Sequence, residues 1–513
     1  MTHKKVTRTA ALAAVAATAL AACSAGAANS ESAPDSTGAG AADGGTITVA
    51  LTGEPTNLDF TTTAGSAIPQ ALMSNVYEGL VEIDQDGEIQ PLLAESWAVS
   101  EDGRTYTFEL QSGVTFSNGE AFTAEDVKFS IERVKSDAWV SSLKKQMDVV
   151  ESVEVLSDTE VAVNLSRPSN AWLFSMGTLV GAMFDPSGVG DLANAAVGTG
   201  PFTIEEWARG ESITMAARED YWGEAPKVDT AVLRYFADAV ATTNALRSGD
   251  VDVVYNMQAP ELLETFESDD QFQVIEGTSN GEIILSMNNQ AAPFDDVRVR
   301  QAVMYAIDRQ AVIDTAWNGY GTDVGGAAVP PTEPYYEETD AYSYDPERAR
   351  ELLAEAGYAD GLDIVFDVPT RPYATAVSEI VVSQLAEVGI NATIASAEFP
   401  AVWLDKVFTQ HDYQMSVVLA VEAKDFLTIF NNPDYYIGYD NSKIATLAAE
   451  ADAAVDEEEY VSKMQEVVRT VVDDAPADTL FLFPNIIIAK ADVTGIPANS
   501  VTEALDLTEM GRA

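Results

Sequence analysis

Tyr106, Phe108 and Leu110 alternate with polar neighbours in TYTFEL (105–110), the period-two rhythm of a half-buried strand. Residues 97–100 precede it across the Asp102-Gly103 turn, so the two runs are expected to pair as a hairpin. Residues 81–83 and 88–90 predict a second hairpin around 84–87, and TITVAL (46–51) predicts the first strand of the folded body. The period then changes. Thr123-Ala-Glu-Asp126 is a capping-box-like start for a helix through Val134, with Val127, Ile131 and Val134 on one face. This β-rich stretch with one good helix runs to about Ala195.

Beyond it the pattern becomes strand–helix–strand. Residues 232–236 predict a strand, 238–248 a helix closed by Gly249, and 251–255 a strand. The same order returns at 363–367, 372–388 and 390–395, with Gly389 placed to end the helix. Two helices are expected between them. One covers 296–308, with Val299, Ala302, Val303, Ala306 and Ile307 on one stripe. The other covers 345–356, with Asp345 as N-cap, Pro346 in the first turn and Gly357 as terminator. Such βαβ units predict an α/β fold with largely parallel sheets and right-handed crossovers. Two separate α/β regions predict two lobes, and ligands of open α/β sheets bind beyond the carboxyl ends of the strands. A cleft between the lobes follows.

The chain has 513 residues, more than one hydrophobic core normally organises, and 47% are hydrophobic. Lys4, Lys5 and Arg8 precede an apolar run, 9–22, that is shorter than the ~20 residues of a membrane-spanning helix. Residues 1–22 therefore read as a cleaved signal peptide. Leu20-Ala21-Ala22-Cys23 resembles a bacterial lipobox, and Cys23 is the only cysteine. A lone thiol can form neither an intramolecular disulfide nor a multi-thiolate metal site. Cys23 is expected to carry a lipid. Residues 23–45, small and polar after that cysteine, read as a flexible tether reaching roughly 25 Å.

The formal charge is −54. So acidic a surface argues against nucleic acid or anionic lipid as partners, which need clustered Lys and Arg. Acidic runs such as 456–459 read as solvated helix faces. His3 and His411 are the only histidines, and His3 leaves with the signal. Catalytic triads and His-rich metal centres lack their parts. Neither a Walker loop nor a G-x-G-x-x-G turn is present. No enzyme activity, cofactor or resident metal is expected.

The stretch YEGLVEIDQDGEIQPLLAESWAVSEDGRTYTFELQSGVTFSNGEAFTAEDVKFSIERV (77–134) closely resembles the bacterial extracellular solute-binding proteins of family 5, the peptide/nickel-type receptors of ABC importers. VGTGPFTIEEW (197–207), PFDDVRVRQAVMYAID (293–308) and YDPERARELLAEAGY (344–358) follow in that family's order. The resemblance implies a periplasmic-binding-protein-like two-lobed clamp of type II, in its large three-domain variant. Domain I would comprise 46–78, 196–281 and 486–513, with 79–195 inserted as domain II. Residues 282–485 would form the second lobe, with a hinge near 280–282 and 484–486. It further implies a monomer anchored by lipid at the outer face of the cell membrane. Such a protein captures a peptide or similar small polar solute and delivers it to the permease subunits.

Peptide receptors of this family carry a tryptophan-containing strand end that leads to an aspartate paired with the peptide's amino terminus. Here the stretch reads SVVLAVEAKDF (416–426), without tryptophan, and offers Glu422 and Asp425 with Lys424 between them. Trp403 matches a side-chain-pocket tryptophan of oligopeptide receptors and reads equally as a core aromatic. Tyr436, with Tyr435 and Tyr439 beside it, is a candidate for the cleft wall. Glu54 and Asn57 follow the first strand, where the family places ligand contacts; a plain loop role is the alternative. His411 weakly supports nickel or metallophore uptake on the same scaffold, and an oligosaccharide receptor is a further alternative. A cell-wall hydrolase using a carboxylate pair is the reading from another class.

Overall fold

Strand Thr46–Leu51 lies near the middle of a seven-stranded sheet in the computed structural model, which describes residues 45–62, 66–327, 329–421 and 424–513. The signal peptide, Cys23 and all but the end of the tether lie outside the described residues, as does Glu422. The sheet order is Phe272–Gly277, Asn485–Lys490, Val253–Val254, Thr46–Leu51, Thr230–Tyr235, Ser212–Ala217 and Phe202–Ala208. A five-stranded sheet follows the order Ile390–Ala397, Leu362–Pro369, Met415–Ala420, Glu282–Met287 and Ala477–Leu482. Ala94–Val99, Thr105–Leu110, Glu160–Leu165 and Val150–Ser157 make a separate four-stranded antiparallel sheet.

The expectation of largely parallel sheets is corrected. Thr46–Leu51 is parallel to both of its neighbours, but the remaining pairings of the large sheet are antiparallel. In the five-stranded sheet Leu362–Pro369 is parallel to both neighbours, and Glu282–Met287 is antiparallel to both of its own. The βαβ units supply the parallel centres. The antiparallel strands come from hairpins and from returning segments distant in sequence, which local periodicity does not report.

Local chemistry sets many element ends. Asp126 Oδ2 accepts from the Thr123 backbone N–H at 2.8 Å, satisfying a donor at the start of helix Ala124–Val134. Asp238 and Asp345 cap helices Ala239–Ser248 and Pro346–Glu355 through backbone N–H groups. Gly249 ends the first of these at φ +84°, a conformation that costs glycine little. The helix expected over 296–308 forms, and a further helix follows it directly. Val297–Ala306 stops at an extended Ile307, and Asp308 then caps a second helix, Arg309–Ala316, by accepting from Ala311 N–H. The strand expected over 251–255 shortens to Val253–Val254.

The chain passes between the two large sheets twice, at 278–281 and at 483–484. The two passages are stitched together: Phe483 N–H donates to Gly281 O at 2.6 Å, and Ser279 Oγ donates to Phe483 O. One apolar core joins the seven-stranded sheet to the four-stranded one, through Phe60, Tyr77, Trp139 and Phe184. The five-stranded sheet has its own cores, built from residues 283–483. Among the described residues no fully buried apolar side chain is shared by cores of both halves, and the half-buried Tyr320 packs against one core of each. Among the described residues no helix is long and apolar enough to cross a membrane.

Arg309 and Asp478 form a buried ion pair inside the second half, with Arg309 Nε 2.8 Å from Asp478 Oδ1 and Arg309 Nη1 donating to Tyr342 O at 3.0 Å. Asp478→Ala strands the guanidinium, and urea unfolding should show a loss of about 3–5 kcal/mol. An Arg309→Met/Asp478→Leu double variant should recover most of it. If the single variant unfolds with the wild type, the pair carries no weight in this half.

Candidate functional site

The passages leave the five-stranded sheet at the edge holding the carboxyl ends of Leu362–Pro369 and Met415–Ala420 and the start of Glu282–Met287. Glu282 stands opposite Ala420 on one side and Leu482 on the other. At this edge Asn280, Glu282, Glu333, Tyr335, Lys424 and Asp425 surround a cavity of about 10 Å³ for a water-sized occupant. Glu282 is 2% exposed, and its Oε2 has no hydrogen-bond partner. Burial, followed by the nearby Asp425 and Glu333 carboxylates, pushes its carboxyl well above the ordinary range. The only described cation at the cavity wall is Lys424, whose Nζ lies 3.4 Å from Glu333 Oε2.

Glu78 shows what this chain does elsewhere with an equally buried acid. It accepts from Tyr221 Oη at 2.7 Å and from Trp222 Nε1 at 3.0 Å. Glu282 has no such pair of donors.

A larger groove of about 800 Å³ lies at the carboxyl ends of Leu362–Pro369 and Ile390–Ala397. Thr370, Arg371, Ile394 and Ser396 line it, and helix Pro372–Glu387 begins there. Tyr373 Oη accepts from Leu419 N–H at 3.0 Å, tying that helix to the neighbouring strand end. This is the location that strand direction predicts for a ligand in an α/β sheet.

The two halves also touch away from the passages. Asp452 Oδ1 accepts from Ser169 Oγ at 2.8 Å and from Ala171 N–H at 3.1 Å, and Asp452 pairs with Arg167. Asn170 Nδ2 donates to Ala451 O, Asp452 O and Ala454 O at 2.8–3.1 Å. Lys424 Nζ sits 4.1 Å from the centre of the Phe174 ring, a cation–π contact from one half to the other.

The candidates from sequence fall into three groups. Asp425 lines the acidic cavity. Trp403 and Tyr436 are packed together in the core, ring centres 5.7 Å apart, with their polar atoms occupied. Trp403 Nε1 donates to Ser416 Oγ at 3.0 Å, and the Tyr436 hydroxyl lies 2.6 Å from Ser286 Oγ. Glu54 and Asn57 belong to the other half. Glu54 Oε1 accepts from Trp207 Nε1 and Gly210 N–H, and Asn57 Oδ1 from Asp59 N–H. His411 takes φ +55°, and its carbonyl accepts from Asn288 Nδ2. Among the described residues no group of three His, Cys, Asp or Glu side chains is placed to hold a metal ion. Glu282 and Glu333 escaped the sequence reading. An acid opening an apolar run, as in EIILSM, looks like a strand end in water.

Two mixed α/β halves joined by two adjacent passages, with charged and polar groups at the strand ends between them, define a binding protein of the periplasmic type. Residues 88–442 match the bacterial extracellular solute-binding proteins, family 5 middle region, and the chain belongs to that family. Heme-binding protein A of Haemophilus influenzae is 29% identical over 361 residues, 64% of this chain and 66% of that protein. Glutathione-binding protein GsiB of Salmonella paratyphi A is 30% identical over 342 residues, 65% of this chain and 66% of its own. The match thus spans about two thirds of the length of these curated relatives. The binding protein AgaA of A. tumefaciens R10, solved with agropinic acid, superposes with a TM-score of 0.77 at 26% identity. That match covers 91% of this chain and 99% of AgaA.

Glu282 makes stability depend on pH. Its carboxyl is protonated more readily in the folded chain than in the unfolded one, whose reference value is 4.5. Stability should therefore fall as pH rises above that value, until the folded group ionises too. Glu282→Gln should melt like the ligand-free wild type near pH 4 and be more stable at pH 8 by about 1–3 kcal/mol. Parallel melting profiles from pH 4 to 8 would show that the buried carboxyl carries no penalty.

Proposed function

We propose that this protein captures a small polar solute, a peptide or a compound of similar size, between its two halves and passes it to the permease of an ABC importer. It does so at the outer face of the cell membrane, held by a lipid on Cys23 through the 23–45 tether. Residues 278–281 and 483–484 act as the hinge. Domain I is 46–78 with 196–281 and 486–513, domain II is 79–195, and the second lobe is 282–485. The protein works as a monomer and performs no chemistry on its solute.

The observation that carries this reading is the pair of stitched passages between halves that keep separate apolar cores. Such halves can rotate as bodies without exposing a core, which is the requirement for clamp closure. The contacts of Arg167, Ser169, Asn170 and Ala171 with 451–454 are polar, the kind that can be made and broken in water. Trp403 and Tyr436 back the wall of the cleft from inside the second lobe, and Asp425 presents an acid at its end. Glu422, Glu54 and Asn57 remain candidates for direct contact with the solute.

Small-angle scattering on the protein with its solute, identified by native mass spectrometry of the co-purified complex, tests the clamp. Binding should reduce the radius of gyration. A tight complex with unchanged scattering would leave a rigid site instead. Asp452→Ala removes three contacts between the halves, and should weaken solute binding by about 1.5–3 kcal/mol in calorimetry while leaving each half folded. An unchanged affinity would assign those contacts to packing alone.

Cys23→Ser removes the sulfur that acylation needs. In cell fractionation the variant should move from the membrane to the medium; retention in the membrane fraction would overturn the lipid anchor.

A further inference from the structure

We infer that residues 498–501 form a third strand of the hinge, a strap that fixes the first passage to the half holding the seven-stranded sheet and confines rotation to Gly281 and 483–484. Ser279 and Ser500 pair in parallel. Ser500 N–H donates to Thr278 O at 2.9 Å, and Asn280 N–H donates to Ser500 O at 3.3 Å. Side chains repeat the link. Asn499 Oδ1 accepts from Thr278 N–H at 3.0 Å, and Asn280 Nδ2 donates to Val501 O at 2.5 Å. Where the second passage enters the same half, Asn485 Nδ2 donates to Ala498 O at 2.7 Å. One short segment therefore holds both passages.

The strap is anchored on both parts of its own half. Asn75, fully buried, donates through Nδ2 to Leu505 O at 2.7 Å and accepts from Leu507 N–H at 3.1 Å. Asn499 N–H donates to Gln85 Oε1 and Asn499 Nδ2 to Gln85 O, both at 2.8 Å, which reaches the 84–87 turn of the inserted region. Asn499 thus grips the passage with one side-chain atom and the inserted region with the other; it is a positioning residue. A Cβ on Gly277 would lie 1.8 Å from Ala498 O, so the strap approaches the strand end as closely as only glycine allows. Hinges absorb their rotation at a few element-terminal residues. With 278–280 held by the strap and Glu282 paired to Ala420 and Leu482, Gly281 alone stands between fixed neighbours on the first passage. So short a pivot limits the swing. Releasing 278–280 would lengthen the joint and let the halves open further.

The strap rests on the hinge reading of the two passages, and it is tested on the solute-free protein. Spin labels go on Val240→Cys and Val402→Cys, exposed positions in opposite halves, in the full chain carrying Cys23→Ser, which leaves no other thiol. Pulsed electron resonance then reads the distance between the halves. Asn499→Ala should broaden that distribution toward longer distances. In hydrogen exchange the amides of 278–280 should open about three- to tenfold faster, while strands 46–51 and 230–235 exchange as in the wild type. Asn499→Asp keeps the acceptor for Thr278 N–H and should recover most of the protection that Asn499→Ala loses there. Gln85→Ala, a change at an exposed turn position, should shift the distances in the same direction and by less. An unchanged distribution in Asn499→Ala would overturn the strap, and so would faster exchange spread evenly over its half. Compaction on solute binding, with distances indifferent to Asn499→Ala, sinks the strap and spares the receptor. Distances that broaden in Asn499→Ala, in a protein that never compacts with its solute, do the reverse.

Discussion

The antiparallel pairing of Glu282–Met287 with Ala477–Leu482 is the constraint on which the rest depends. These are the first and last strands of the segment between the two passages, and placing them side by side brings both ends of that segment to one edge of one sheet. The passages must then lie together, and their hydrogen bonds follow. Two adjacent connections resist separation but allow rotation about the line joining them. Had the last strand been added at the far edge, beside Ile390–Ala397, the connections would have been spread across the sheet and would have locked the halves.

The same pairing places Glu282 at the mouth of the passages, and its electrostatic setting stands out against the other buried acids. Asp478 has Arg309, Asp367 has Lys406 at 2.5 Å, and Asp252 has both Lys490 and Arg512. With 82 acidic and 28 basic residues, cations are scarce, and the fold assigns several of them to acids that packing has buried. Glu282 is not among the acids so served. Residues at binding sites commonly violate the rules that the surrounding scaffold obeys, because the missing partner arrives with the ligand.

Local signals were legible wherever one short stretch contained all the chemistry. Thr123 with Asp126, Asp238 with Gly249, and Asp345 with Pro346 each mark a helix end through groups a few residues apart. The hairpins around 84–87 and 101–104 form as alternation and turn residues predict. The end of the 296–308 helix before Ile307 was hidden, because the apolar stripe continues through Ile307 while the backbone there is extended, and the next helix, Arg309–Ala316, was not foreseen.

The candidate site was legible only in outline. Asp425 could be placed by its position after a strand end, whereas Trp403 and Tyr436 took core positions that their residue types equally allow. By itself the sequence determined the family, the class of fold, the local elements and the excess of acid, since each is a property of neighbouring residues or of the total. Tertiary structure alone decided which acids are buried together and which cations reach them. Glu282, Glu333 and Asp425 come from separate stretches of the chain, and the field each one feels depends on distances that exist only after the sheets have paired.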